Sequence, residues 1–270
     1  RAQFVLNTGD NFYYCGIQNT TDPQIIRDFT NVYSKVNIPW YNSLGNHDYG
    51  LHPEAQLSLD KILPNWIMDD RYYHRRFSFN NRNTTDCLNI IVLDTSPCVN
   101  DYRDNDRRKW DPCNYEFPTC GPIEGVCKFH ENVVAQNCSE QLAWFKNIVS
   151  LINSNEWLIV IGHHRADQID NEDFQQVLDN PKVHLYMNGH VHSLEHYSMG
   201  GQSKYATSGA GCMVISPHPY HIKKAGKTHN LWWKDKTGFT GHTIDGDILS
   251  TYFIDVGLNI IYHFNVSRTK

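Results

Sequence analysis

No apolar run in the 270-residue chain approaches the ~20 residues that a membrane-spanning helix needs. No basic stripe is present either. Lys and Arg number 24 against 29 Asp and Glu, and the net charge of −5 leaves nothing to neutralise a phosphate backbone, which excludes a nucleic-acid binder. The local cluster Arg103, Arg107, Arg108 and Lys109 is interleaved with Asp101, Asp104, Asp106 and Asp111, as on a solvated loop face. There is no internal repeat, low-complexity tract or linker, so a single domain over 1–270 is expected, with a monomer favoured. No signal peptide is visible, and one is expected upstream of Arg1. No C-x-x-C pair occurs among the eight cysteines, which argues against a structural zinc site. Gly226-Lys227-Thr228 fails as a nucleotide-binding loop, because His221 stands where the earlier glycine is required.

What is present points to the secretory route. Five cysteines (Cys98, Cys113, Cys120, Cys127 and Cys138) fall in one Pro-, Asp- and Asn-rich insertion at about 95–138, which needs disulfides to hold a shape. N-x-S/T sequons at Asn19, Asn83, Asn137 and Asn265 make these the expected glycosylation sites. A secreted or endomembrane location, such as a lysosome- or vacuole-like lumen, follows.

Strand and helix alternate through the first half. Short apolar runs at Phe4 to Leu6, Ile38 to Leu44, Cys87 to Asp94, Trp157 to Ile161 and Val183 to Met187 read as strands, the third buried on both faces. Asp22 and Pro23 open a helix with an apolar stripe of Ile25, Ile26, Phe29, Val32 and Tyr33. Ser139 is expected to cap a second helix carrying Leu142, Phe145, Val149 and Ile152. A shorter helix is expected near Asp173 to Leu178. Hairpins close the chain, with strands at Tyr252 to Val256 and Asn259 to Phe264, and Ser216 to Gly241 reads as a long surface loop.

Polar motifs follow these strands in a fixed order: Gly9-Asp10-Asn11-Phe12-Tyr13, Gly45-Asn46-His47-Asp48, Gly162-His163-His164, Gly189-His190-Val191-His192 and Ser208-Gly209-Ala210-Gly211. In an open α/β sheet, ligands bind beyond the carboxyl ends of strands. The side chains are hard-to-borderline oxygen and nitrogen donors suited to iron, zinc or manganese. Two ions held close together position a phosphoryl group and generate hydroxide from water. Asp10 is the candidate bridge. Tyr13 needs a strongly Lewis-acidic ion such as Fe(III), because a free phenol ionises only near pH ~10. Asn46, His163 and His190 suit a divalent ion, and His192 completes the ferric side. His47 is placed to bind substrate or protonate the leaving alkoxide, with Asp48 as its orienting partner. Singly, Asp10, Asn46 and His47 are ordinary turn residues; together the ordered set outweighs that reading. Tyr14 reads as a core aromatic, and His164 reads equally as structural or substrate-facing.

This set resembles the purple acid phosphatases of the short, tartrate-resistant type, within the calcineurin-like metallophosphoesterases. The likeness runs through GDNFYYCG, SLGNHDYG, VLDT, QLAWFKN, VIGHHR, NGHVHSLEHY and YATSGAGCM, over most of the chain. It implies a four-layer α/β/β/α sandwich of two mixed sheets. It also implies a dinuclear centre of Fe(III) with Fe, Zn or Mn, and hydrolysis of phosphomonoesters, from small esters to phosphoproteins, by metal-bound hydroxide at acidic pH. Asp10 would bridge, Tyr13 and His192 would bind the ferric ion, Asn46, His163 and His190 the divalent one, and His47 would contact substrate. Two departures stand out. The family's first strand, with its GDxG ligand, is absent, and Gly246-Asp247 lies in the wrong order to replace it, so the chain reads as N-terminally incomplete. Glu172 occupies the place of a substrate-facing His, which leaves His164 or Arg165 to compensate. Two other functions fit the same motifs: a catalytically inactive scaffold or membrane-complex anchor, and a phosphodiesterase or nucleotide hydrolase.

Overall fold

The computed structural model describes residues 2–82, 84–104, 110–113, 120, 126–215 and 228–268. Three short parallel strands, β1 (Val5–Asn7), β2 (Trp40–Asn42) and β3 (Trp66–Ile67), form one small sheet in that order. Seven strands form the large sheet: β4 (Tyr73–Asn81), β5 (Thr84–Val92), β6 (Trp157–Ile161), β7 (Leu185–Asn188), β8 (Leu194–Met199), β9 (Gln202–Ser208) and β10 (Thr228–Lys234). Their order is β10-β8-β9-β7-β6-β5-β4, parallel from β9 to β5 with antiparallel strands at both margins. An antiparallel meander of β11 (Gly238–Asp245), β12 (Ile248–Asp255) and β13 (Ile260–Ser267) completes the strands.

The layering follows from the period-2 pattern of the buried strands. Ile90, Val92, Ile159 and Ile161 face one core, shared with Trp40, Tyr41, Leu249 and Phe253 of the two small sheets. Their neighbours Ile91, Leu158 and Val160 face a second core, built against Leu142, Phe145 and Val149 of the helix Cys138–Leu151 and Phe174 and Leu178 of the helix Glu172–Leu178. Outside the small parallel sheet, Ile25 and Phe29 of the helical segment 25–33 pack in the same core as Trp40 and Trp66. The α/β/β/α order is therefore present, with the second β layer divided into a parallel and an antiparallel piece.

Local expectations differ in detail. Asp22 does cap its helix, accepting from Gln24 N at 2.9 Å. That helix buries a narrower stripe than expected, because Ile26, Val32 and Tyr33 are exposed. Asn137, not Ser139, caps the long helix: its side chain accepts from Ser139 N and Glu140 N. The segment read as a loop from Ser216 to Gly241 contains β10 and the start of β11, while 216–227 lie outside the described residues. Disulfides Cys98–Cys138 and Cys113–Cys127 staple the insertion internally, and Cys15–Cys120 ties it to the Tyr13 loop. Among the described residues Cys87 and Cys212 are free. No described helix is long and apolar enough to cross a membrane.

Candidate metal centre

Every motif lies just past the carboxyl end of a parallel strand: Asp10 after β1, Asn46 after β2, His163 after β6 and His190 after β7. The turns are tight and strained. Asp10, His190 and His192 adopt left-handed backbone with φ of 56°, 58° and 33°, a conformation costly for residues with a Cβ and concentrated at functional sites. Gly45 is required by space, since a Cβ there would collide with Asp10 Oδ1.

Two groups of donors result. In the first, Asn46 Oδ1 lies 2.9 Å from both His163 Nε2 and His190 Nδ1, which are 3.3 Å apart. His163 Nδ1 donates to the Thr8 carbonyl at 2.8 Å, which turns Nε2 towards this group. In the second, the Tyr13 hydroxyl lies 3.1 Å from His192 Nε2 and 3.0 Å from Asp10 Oδ2. Asp10 Oδ2 is also 3.2 Å from His163 Nε2, so one carboxylate oxygen belongs to both groups. Metal bonds of about 2.0–2.1 Å set neighbouring donors about 3.0 Å apart in octahedral geometry and about 3.4 Å in tetrahedral. The observed spacings fit one small cation in each group.

Charge supports the fit. Burial by itself would raise the Asp10 carboxyl, but His163, with His47 and His190, holds it well below the usual carboxylate range. Burial pushes the Tyr13 phenol far up, and Asp10 adds to the shift, so only a strongly Lewis-acidic ion would take its proton. Burial, aided by His163, lowers His190 to about 3, and burial lowers His192 also. Both shifts favour the neutral imidazole, the form that ligates a metal.

The three other candidates separate. His47 is half-buried beside the Tyr13 ring, 4.6 Å between centroids. Its Nδ1 meets the Tyr14 carbonyl at 2.6 Å, and a carbonyl only accepts, so Nδ1 carries the proton and Nε2 is the nitrogen that remains. Asp48 does not turn towards His47. It is fully buried and accepts from Gly45 N, Asn11 N, Phe12 N and the Gln56 side chain, which binds the two loops to each other. Burial and the nearby Asp10 push its carboxyl up to about 6. His164 packs close to His163 and His190, yet both its nitrogens are taken, Nδ1 by Thr95 Oγ1 at 2.8 Å and Nε2 by the Tyr102 hydroxyl at 3.0 Å. Arg165 is likewise buried, paired with Glu195 and Asp167. Neither is free to meet substrate, and Glu172 is exposed at the start of its helix.

Several contributors carried no readable signal. Thr8 supplies only a carbonyl. The Thr95 hydroxyl accepts from His163 N and His164 N and so shapes the loop after β6. Tyr14, expected in the core, is 54% exposed. The Cys212 thiol borders the Tyr13 hydroxyl. Asn19, Asn137 and Asn265 are exposed, and Asn83 lies outside the described residues.

Known proteins resemble the chain in sequence and in fold. A family profile described as calcineurin-like phosphoesterase matches residues 1–194. The chain is 27% identical to purple acid phosphatase 7 of Arabidopsis thaliana, over 98% of its own length and 76% of that protein. It is 28% identical to tartrate-resistant acid phosphatase type 5 of Mus musculus, over 83% of its length and 64% of the mouse protein. Among solved structures, one described as "GAP50 the anchor in the inner membrane complex of Plasmodium" superimposes with a TM-score of 0.73 at 21% identity. That match covers 100% of this chain and 80% of the other, and it bears on the fold alone.

Proposed function

The chain belongs to the calcineurin-like phosphoesterases, and on that premise we propose that it is an acid phosphatase hydrolysing phosphate monoesters at an Fe(III)–M(II) centre in a secretory or lysosome-like lumen. The supporting observation is the Asp10 oxygen common to two donor groups. Tyr13 and His192 would hold the ferric ion, Asn46, His163 and His190 would hold Fe, Zn or Mn in the divalent state, and Asp10 would serve both. When bound, the two ions polarise the phosphoryl oxygens and lower the pKa of water. The chain's own residues do the rest. His47 Nε2 faces the substrate because Nδ1 is fixed on the Tyr14 carbonyl, and in the imidazolium form, with a proton on each nitrogen, it would give the Nε2 proton to the departing oxygen and keep the one on Nδ1. Asp48 keeps the Asp10 and Asn46 loops in register through the backbone N–H groups it accepts.

The test is metal content together with turnover. Protein expressed with iron and zinc should carry near two ions per chain and hydrolyse an aryl phosphate below neutral pH. A second reading, a scaffold without catalysis, is motivated by the fold shared with the structure titled as an anchor. Near zero ions per chain and no turnover would favour it. The presence of all six donors in two compact groups favours the enzyme.

A further inference from the structure

We infer that Trp110 and Tyr14 form an aromatic rim beside His47 that selects phosphomonoesters with a planar aromatic leaving group. The inference rests on the proposed phosphatase site and names the substrate class that site prefers.

Three rings meet the His47 imidazole: Tyr13 at 4.6 Å, Trp110 at 4.9 Å and Tyr14 at 6.3 Å between centroids. Trp110 comes from the Cys-rich insertion and stays half-buried. It is fixed from behind, edge-on to Phe129 at 5.1 Å and tilted on Tyr102 at 5.8 Å. Phe129 is fully buried, and the Cys113–Cys127 disulfide closes the chain between these two aromatics. Tyr14 exposes 54% of its surface although its backbone carbonyl is committed to His47. An exposed tyrosine and a half-exposed tryptophan, each anchored by its surroundings, are apolar surface that a ligand could cover at little entropic cost.

Position gives this surface a use. A substituent on the oxygen that meets His47 Nε2 lies beside the imidazole, whose ring neighbours from outside the donor groups are Trp110 and Tyr14. A planar ring gains offset or edge contacts there, while a polyol or charged substituent gains nothing and loses water. One aromatic pair of ordinary strength corresponds to a preference of about fivefold.

The experiment compares benzyl phosphate with cyclohexylmethyl phosphate, whose alkoxides are similarly poor leaving groups and whose rings differ in planarity. In parallel, the affinities of benzylphosphonate and cyclohexylmethylphosphonate for the metal-loaded chain are measured calorimetrically. The wild type should favour the aromatic member by about fivefold in kcat/KM and in affinity. Trp110→Ala should bring both ratios near one, and Trp110→Phe should retain them. Tyr14→Ala, at an exposed position, should lower them in part and serves if the Trp110 variant fails to fold. Equal treatment of the paired ligands by the wild type would overturn the inference. So would a uniform loss on both ligands in the Ala variants, which is the mark of a structural role. Absence of turnover on either ester would count against the phosphatase reading, and the phosphonate affinities would still decide the rim.

Discussion

The Tyr13 hydroxyl donates to Asp10 Oδ2 across 3.0 Å, so phenol and carboxylate are already joined along the line on which a shared cation would lie. In the proposed centre an ion of higher charge would displace that proton. Tyr13→Phe should remove any visible phenolate-to-iron absorption and weaken ferric binding, while the group of Asn46, His163 and His190 still takes one divalent ion. Absorption spectra and metal analysis of the variant check this. Persistence of the band would show that the phenolate ligand is another residue.

Asp48 should behave as a structural pin. Asp48→Ala leaves buried backbone N–H groups of Asn11, Phe12 and Gly45 without a partner, each costing about 1–3 kcal/mol. Thermal unfolding should show a loss of several degrees, with metal affinity falling alongside. A variant with unchanged melting and a shifted pH–rate profile would instead make Asp48 a proton-transfer partner.

Because both nitrogens of His164 are engaged by Thr95 and Tyr102, His164→Ala should cost about 2 kcal/mol of stability and leave two ions per chain. Metal analysis yielding one ion would reassign it as a ligand.

Asp94 predicts an acid-favouring component of stability. It is buried, with Tyr49 donating to one oxygen and the other unpartnered, and burial pushes its carboxyl up to about 6 against the opposing Arg71 charge. A folded pKa above the unfolded one means that the native state holds the extra proton. The contribution is therefore fully present below pH ~4 and is lost as pH rises through about 6. Two pKa units correspond to about 3 kcal/mol. Denaturant unfolding of wild type and Asp94→Asn between pH 4 and 7 should show the wild type losing stability relative to the variant across that window. Parallel curves would refute it.

Much of the site was legible because its donors are side chains placed directly after apolar strand runs, and strand ends converge by topology. Asp10, Asn46, His163, His190 and His192 follow that rule. Thr95 follows it too, directly after the Cys87–Asp94 run, although its hydroxyl acts on the backbone of His163 and His164 and not as a donor to the centre. Tyr102 and Trp110 do not: their roles depend on how the insertion packs, and no local pattern encodes that packing. Tyr14 misled because it adjoins Tyr13 in an aromatic run, while its carbonyl's bond to His47 leaves the ring outside. The division of the second β layer was hidden for a related reason: alternation marks which face is buried but not which strands share an edge. The cap shift from Ser139 to Asn137 is a two-residue slip between two good capping residues.

Asp10, His190 and His192 all sit in left-handed backbone, and donors anchored in that way have little room to spread. Two of those three donors are imidazole nitrogens, which suit zinc and iron, whereas calcium takes six to eight oxygen ligands. Held in that backbone, the two rings cannot readily swing aside to let oxygen replace them. In a calcium-rich lumen such a cradle would favour a scarcer ion over the abundant one.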